Sequence, residues 1–130
     1  MPRESPGVTS IASPYSVEST VSRLEALIKA KGLTLFAHID HAAGAREAGL
    51  QMQEAQILIF GNATSGTPLM VATPLLALDL PLKILVWQDA EQKVWLSYNT
   101  PAYLAQRHTI PADLTNNIAG IEALAKAAVA

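Results

Sequence analysis

The feature that most constrains the fold is a pair of short alternating segments in the second half of the chain. Lys83–Gln88 and Lys93–Tyr98 are rich in β-branched and aromatic residues, and a short polar turn separates them. Two such segments in close succession predict an antiparallel β-hairpin. Because side chains alternate across a strand, one face of the hairpin carries an apolar row that we expect to face helices. This row is Ile84, Val86, Val94, Leu96 and Tyr98.

The first half of the chain predicts a helix flanked by strands. Ser16 suits an N-cap because its hydroxyl can accept from a first-turn amide, and apolar residues at helical spacing follow as far as Gly32. Strands are predicted at Gly7–Ser13, Leu33–His41 and Gln56–Phe60. In the second of these, strict alternation puts Leu33, Leu35, Ala37, Ile39 and His41 on one face and Thr34, Phe36, His38 and Asp40 on the other. Between Ala42 and Ala55 the pattern indicates only an irregular helical turn and a loop.

Three further helical segments complete the predicted element order. Thr67-Pro68 resembles an N-cap followed by proline at the first helical position, so a short helix is expected over Leu69–Leu78, broken near Pro74. Thr100-Pro101 repeats this signal and opens a helix through His108, and a final helix runs from about Asn116. The order predicts an α+β two-layer sandwich, with a mostly antiparallel sheet of about five strands and helices packed on one face.

Length and composition limit the classes of protein. The chain has 130 residues, of which 50% are hydrophobic and 15% charged, with a formal net charge of −2. This predicts one domain over residues 7–130, after a flexible leader at residues 1–6, and excludes a disordered chain. The sequence has no cluster of basic residues that would indicate nucleic-acid binding and no apolar run long enough for a membrane span. It also has no secretory signal, so we expect a cytoplasmic protein. The absence of cysteine excludes disulfides and thiol chemistry, and no cofactor is predicted.

The second face of the sheet carries large apolar side chains that helices on one face would leave uncovered. These are Phe36, Leu85, Trp87 and Trp95. A contiguous exposed apolar surface marks a partner or a ligand. We favour a homodimer interface, since self-association is common for such a patch, over a ligand groove. The alternative is that irregular segments cover this face and make it a second core.

Polar residues at the ends of the predicted elements are the candidates for binding a ligand. They are Asp40, His41, Asn62, Thr67, Tyr98, Asn99, Arg107 and His108. The glycine-bearing stretch from Gly61 to Thr67 precedes a predicted helix N-terminus, where free amides favour an anion. Turn chemistry alone also explains these glycines and Asn62, and the loop lacks the lysine of a P-loop.

Acid–base and metal chemistry are weaker interpretations of the same residues. Asp40 could orient His41, but adjacent strand residues point to opposite faces, and His41 falls on the predicted core side as a buried histidine bonded to a backbone carbonyl. His38 and Asp40 share a face and could ligate a metal with His108, yet two neighbouring ligands are too few, and we expect a solvated pair with no metal.

Several short strings resemble the domain-of-unknown-function 302 family. They are Asp40-His41-Ala42, Phe60-Gly61-Asn62, Gly66-Thr67-Pro68-Leu69-Met70, Asp79-Leu80-Pro81-Leu82-Lys83 and Tyr98-Asn99 with Pro101, Tyr103-Leu104 and Arg107-His108. The resemblance runs from about Gly7 to Ala128. It implies a small α+β domain, similar in outline to TATA-binding-protein-like folds, often a homodimer, and it implies no established activity.

Three hypotheses for function follow. The leading one is a homodimeric module that binds or senses a polar or anionic small molecule through the candidate residues above. The second is a small hydrolase or isomerase, metal-assisted or not, with Asp40, His41 or His108 as acid or base. The third is a structural module whose purpose is homodimerisation through Trp87 and Trp95.

Overall fold

A computed structural model describes residues 5–130, which form one five-stranded antiparallel sheet covered by helices. The strands lie in the order β1-β5-β4-β3-β2, so that β1 and β2 are the edges and β4 is central. Each neighbouring pair is antiparallel. The strands are β1 (Val8–Ser13), β2 (Thr34–Asp40), β3 (Ala55–Gly61), β4 (Leu82–Gln88) and β5 (Val94–Asn99).

Residues 5–130 also form five α-helices and two short 3-10 helices, which lie between the strands and after β5. The α-helices are α1 (Val17–Ala30), α2 (His41–Glu47), α3 (Ala63–Ala72), α4 (Pro101–His108) and α5 (Ile121–Val129). The 3-10 helices are Pro74–Leu78 and Ala112–Ile118. This architecture confirms the predicted α+β sandwich with an antiparallel sheet.

The main core lies between the sheet and the helices α1 and α5. It contains all five side chains of the apolar row predicted for the hairpin, and these pack against Leu24 and Ile28 of α1 and Leu124 of α5. Ser16 caps α1 by accepting from the Ser19 amide at 3.1 Å, as its position predicts. The hairpin prediction and its inward face are therefore confirmed.

A second, smaller cluster lies where β3 ends and β4 begins. It joins α3, α4 and the two 3-10 helices through Leu69, Leu76, Leu104, Ile110 and Ile118. Leu82, at the start of β4, packs against both clusters. The two clusters therefore meet at this end of the sheet.

The predicted alternation along β2 is wrong, because a β-bulge shifts the register between Leu35 and Ala37. A bulge opposes two residues of one strand to one residue of its partner and so reverses the faces that follow. As a result His38 lies on the helix side, where its Nδ1 is 3.0 Å from Glu25 Oε1 of α1. Ile39, which pairs with Ile57, falls on the other side.

Three helix boundaries also differ from the prediction. The stretch after β2 forms a full helix, α2, and His41 is its exposed first residue rather than a buried core histidine. Helix α3 begins at Ala63 rather than after Thr67, with Pro68 inside it. The last segment divides into the 3-10 helix Ala112–Ile118 and α5.

The prediction of a leader falls partly outside the described residues, since residues 1–4 are not among them. Ser5 accepts a hydrogen bond from the Val8 amide at 3.1 Å, immediately before β1. The single domain over residues 7–130 and the flexible leader stay predictions. None of the helices in residues 5–130 combines the length and apolarity needed to cross a membrane.

Candidate functional site

A cavity of about 380 Å³ opens at the end of the sheet where the two hydrophobic clusters meet. Cavities of a few hundred Å³ are the usual size for small-molecule sites. Its wall is formed by the end of β3, the start of β4, α3 and the start of α5, with Leu33 and Phe36 from β2 and the turn before it. Its apolar side chains include Leu33, Phe36, Phe60, Met70, Leu80, Leu82, Ile118, Ile121 and Leu124.

The polar lining is sparse. Four uncharged polar residues contribute, namely Asn62, Ser65, Thr67 and Asn117. Lys31 is the one charged lining residue that the structure describes. An apolar wall with a few polar groups can hold the body of a small organic molecule and orient it.

Helix α3 forms one side of the cavity, and hydrogen bonds in its first turn hold it in place. Asn62 is the N-cap and accepts from the Thr64 amide at 2.8 Å. The Asn117 amide donates to the Ser65 carbonyl at 2.9 Å, which joins the 3-10 helix Ala112–Ile118 to α3. Gly66 leaves space here, because a Cβ on it would meet only Leu80 Cδ1, at 4.0 Å.

Three candidate residues, predicted for two different roles, lie together at this cavity. Asn62 and Thr67 were candidates for binding a ligand, and both line it. Thr67 contributes from within α3 rather than as its cap. Phe36, a candidate for the dimer interface, also lines the cavity, and its side chain is 53% exposed.

Arg107 and His108 form a separate polar cluster with Asp79. Asp79 Oδ2 accepts from Arg107 Nη1 at 2.8 Å and lies 2.5 Å from His108 Nε2. The His108 side chain is only 7% exposed. This cluster ties the end of α4 to the segment before β4, which is a structural role that cations at a helix C-terminus suit well.

Asp40 and His41 lie at the opposite end of the sheet from the cavity. Asp40 pairs with Gln56 near the start of β3, whereas the cavity lies at the end of β3, about 15 Å along the strand. The Asp40 carboxylate caps α2 by accepting from the Ala43 amide at 2.9 Å. The structure therefore does not bring Asp40 or His41 together with His108, as an acid–base or metal site would require.

No group of three or more metal-ligating side chains is assembled among residues 5–130. His38, which the sequence pairs with Asp40 as a candidate ligand, instead contacts Gln56 Oε1 through Nε2 at 2.6 Å.

Tyr98 and Asn99 lie on different faces at the end of β5. Tyr98 is buried in the main core, where burial, and then the charge of Glu122, raise the pKa of its hydroxyl. Asn99 is exposed and pairs with Val8 of β1. Neither residue lines the cavity.

The other sheet face, away from the helices, carries the remaining candidates for a dimer. We call the side chains of Ile39, Ile57, Ile59, Leu85, Trp87 and Trp95 the open sheet face; none of them belongs to either hydrophobic cluster. Trp87 and Trp95 pair directly across the hairpin. The Trp87 indole donates to Ser97 Oγ at 2.8 Å and the Trp95 indole to Asp89 Oδ2 at 2.9 Å. Trp95 is only 8% exposed, so it is largely covered within one chain.

Sequence reasoning missed most of the cavity. Five lining residues were not site candidates, because the sequence predicts ordinary places for them in helices, strands and the core: Lys31, Leu33, Met70, Leu80 and Asn117. The closest signal was the run from Gly61 to Thr67, which supplies much of the wall.

These features define a small α+β fold with an apolar cavity at one end of its sheet. The family model described as "Domain of unknown function DUF302" matches residues 9–128, and the chain belongs to this family. The resemblance of its short strings to that family is thereby confirmed.

A solved structure shares the fold. It is the crystal structure of an uncharacterised conserved DUF302 protein from Bacillus stearothermophilus. The TM-score is 0.79 at 20% identity, and the match covers 96% of this chain and 97% of that one.

Curated relatives carry a similar segment within longer proteins. "Fluoride-specific ion channel FluC 1" of Brucella suis biovar 1 is 44% identical over 104 residues, which are 80% of this chain and 41% of that protein. The protein of the same name from Brucella abortus biovar 1 is also 44% identical over 104 residues, which are 38% of its length. The chain thus spans about two fifths of these relatives.

Proposed function

We propose that this domain binds a small organic molecule with an apolar body in the cavity between α3, α5 and the end of the sheet. The observation that carries the proposal is the cavity itself, about 380 Å³ in volume and lined mainly by aliphatic and aromatic side chains. A concave apolar surface of this size with a few polar groups is the usual form of a small-molecule site.

The lining indicates what kind of molecule fits. Leu33, Met70 and Leu80 are half-buried, line the cavity and offer no polar partner, so they suit hydrocarbon. Asn62, Ser65 and Thr67 are at least partly exposed and can bind a polar end group. This supports a ligand that is more apolar than the polar molecule predicted from the sequence.

Calorimetric titration with octanol tests the proposal. We expect one octanol per chain and a negative heat-capacity change, the signature of buried apolar surface. Gly66→Leu should abolish the binding by filling the cavity, whereas Gly44→Leu, in α2 and away from the cavity, should leave it unchanged. Absence of binding to the unmodified protein, or equal binding by Gly66→Leu, would contradict the proposal.

The open sheet face supports a second proposal, that two copies of the chain pair through it. Ile57, Leu85 and Trp87 form a neighbouring apolar group there, outside both clusters. Leu85→Glu should then give a monomer by light scattering at micromolar concentration. Two neighbouring substitutions would not isolate the interface. Ser97→Glu would remove the hydroxyl that accepts from the Trp87 indole, and Trp95→Glu would unfold the monomer, because Trp95 is buried within one chain. A Leu85→Glu protein with the same mass as the unmodified protein would contradict pairing through this face.

The similarity to the Brucella proteins favours one further candidate, a role in fluoride tolerance. The observation is 44% identity over 80% of this chain to proteins named as fluoride-specific channels. Removing the gene from its host should lower the fluoride concentration that stops growth, and restoring it should reverse the effect. Unchanged tolerance would contradict this role.

A further inference from the structure

The only charge on the described lining of the cavity is positive. Lys31 lines it, and no aspartate or glutamate among residues 5–130 does so. The electrostatic potential at the wall is therefore set by a cation without a compensating acid. A molecule with a positive end would be disfavoured there, and one with a negative end would be favoured.

Lys31 is placed where its side chain can reach the end of a bound molecule. It is the C-cap residue directly after α1, with its backbone amide donating to the Leu27 carbonyl at 3.0 Å. Gly32 follows with φ +72° and turns the chain, so that Leu33 returns to the cavity wall. Lys31 is exposed while it lines the cavity, so it stands at the solvent-facing side.

No salt bridge in the described part of the chain engages Lys31. The four ion pairs there involve His38, Arg46, Arg107 and His108 as the basic partners. The ammonium group is thus available to a ligand without breaking an internal ion pair.

The first turn of α3 adds to the positive electrostatic potential in the cavity. Ala63 and Ser65, in that turn, also line the cavity, and the N-terminal end of a helix carries a partial positive charge. Asn62 already caps the Thr64 amide, so the helix contributes mainly its dipole and Lys31 the full charge.

We propose that the ligand of the cavity is an amphipathic anion, with its hydrocarbon body against Leu33 and Met70 and its carboxylate at Lys31. A medium-chain fatty acid has this chemistry. The inference rests on the proposed function, since it names the class of molecule that the same cavity takes.

The experiment compares octanoate with octanol, which have the same chain length and differ in the charge of the end group. Both are titrated calorimetrically into the unmodified protein and into Lys31→Gln, Lys31→Glu and Lys29→Glu. Lys29 lies on the same helix, is exposed and does not line the cavity, so its variant matches the change in net charge of Lys31→Glu.

We expect octanoate to bind more tightly than octanol to the unmodified protein. Exposed ion pairs are weak, so Lys31→Gln should weaken octanoate binding by about two- to fivefold, and Lys31→Glu by about tenfold. Octanol binding should not change, Lys29→Glu should have little effect, and added salt should reduce the difference between the two ligands.

The outcomes separate the two proposals. If both ligands bind equally and neither responds to Lys31, the anionic ligand is refuted while the apolar site stands. If neither ligand binds, both proposals fail. If Lys29→Glu weakens octanoate as much as Lys31→Glu does, the effect comes from net charge alone and the assignment to Lys31 is overturned.

Discussion

Filling the cavity should stabilise the protein while it removes binding. Gly66 lies inside α3 and lines the cavity, and the position of its missing Cβ is open except for Leu80 Cδ1 at 4.0 Å. Gly44 lies in α2 with nothing near its missing Cβ, and it does not line the cavity. Leucine at these two positions therefore differs in one respect, namely whether the new side chain enters the cavity.

The expected magnitude follows from two contributions. Replacing a helical glycine removes an entropic penalty of about 0.5–1 kcal/mol, and this contribution is common to both variants. Burying an isobutyl group fully contributes about 1.5–3 kcal/mol, but the cavity is open on one side, so we expect about 1–2 kcal/mol. Gly66→Leu should thus exceed Gly44→Leu by about 1–2 kcal/mol in free energy of unfolding. For a domain of this size that corresponds to about 3–10 °C in Tm.

Urea unfolding at equilibrium, followed by tryptophan fluorescence, measures both variants, with octanol titration alongside. A more stable Gly66→Leu protein that no longer binds octanol is the signature of a cavity kept open for a ligand, at a cost in stability. Destabilisation of Gly66→Leu relative to Gly44→Leu would mean that the space is already filled in solution, and the reasoning would be refuted.

Three further predictions test the fold and its polar contacts. The Trp95 indole, and then the Lys93 amide, hold the pKa of the Asp89 carboxyl below its ordinary value. The ionised form therefore stabilises the native state above about pH 4, and this stabilisation is lost as the pH falls through the lowered pKa. Between about pH 5 and about pH 3 the unmodified protein should lose more unfolding free energy than Asp89→Asn, and equal losses in urea would contradict this. Asp79→Ala leaves the buried His108 ring without its acceptor and should cost about 1–3 kcal/mol by chemical denaturation, against less than about 0.5 kcal/mol for the exposed Asp113→Ala. In Gly7→Ala the new Cβ would lie 2.1 Å from Tyr103 Cγ, so the substitution should lower the free energy of unfolding by more than about 2 kcal/mol. Gly32→Ala is also at positive φ but in open space, and it should cost about 1 kcal/mol. Similar Tm values for the two variants would refute the close approach of Gly7 to Tyr103.

Local signals were sufficient for the elements that depend on a few neighbouring residues. The Ser16 cap, the positive φ of Gly32 just after α1 and the Thr100-Pro101 start of α4 are all present, because capping and positive φ are properties of a single turn. The inward row of the hairpin is also present, because strand alternation needs only the strand itself.

The errors arose where partners distant in sequence decide the structure. The bulge in β2 depends on the register with β3, which alternation within one strand cannot reveal. Thr67-Pro68 suggested that α3 starts at Pro68, but Asn62 is its N-cap. Pro68 lies inside the helix, in its second turn, after the start that Asn62 caps.

The cavity could not be predicted, because its wall is assembled from separate parts of the chain. Lys31 and Phe36 come from the α1–β2 region, Gly66 and Leu80 flank the second cluster, and Asn117 comes from the 3-10 helix Ala112–Ile118. Each of these residues has an ordinary local explanation. Only their convergence at one end of the sheet suggests a site.

The most direct test of the cavity as a binding site is methyl NMR of the protein labelled at leucine, isoleucine and methionine, titrated with octanol. Octanol bound in the cavity should shift mainly the methyl groups that line it, which are those of Leu33, Met70, Leu80 and Ile118. Methyl groups of Ile57 and Leu85, on the open sheet face, should stay unchanged. Shifts confined to Ile57 and Leu85 would place the apolar binding surface on the other side of the sheet and rule out the cavity as the binding site.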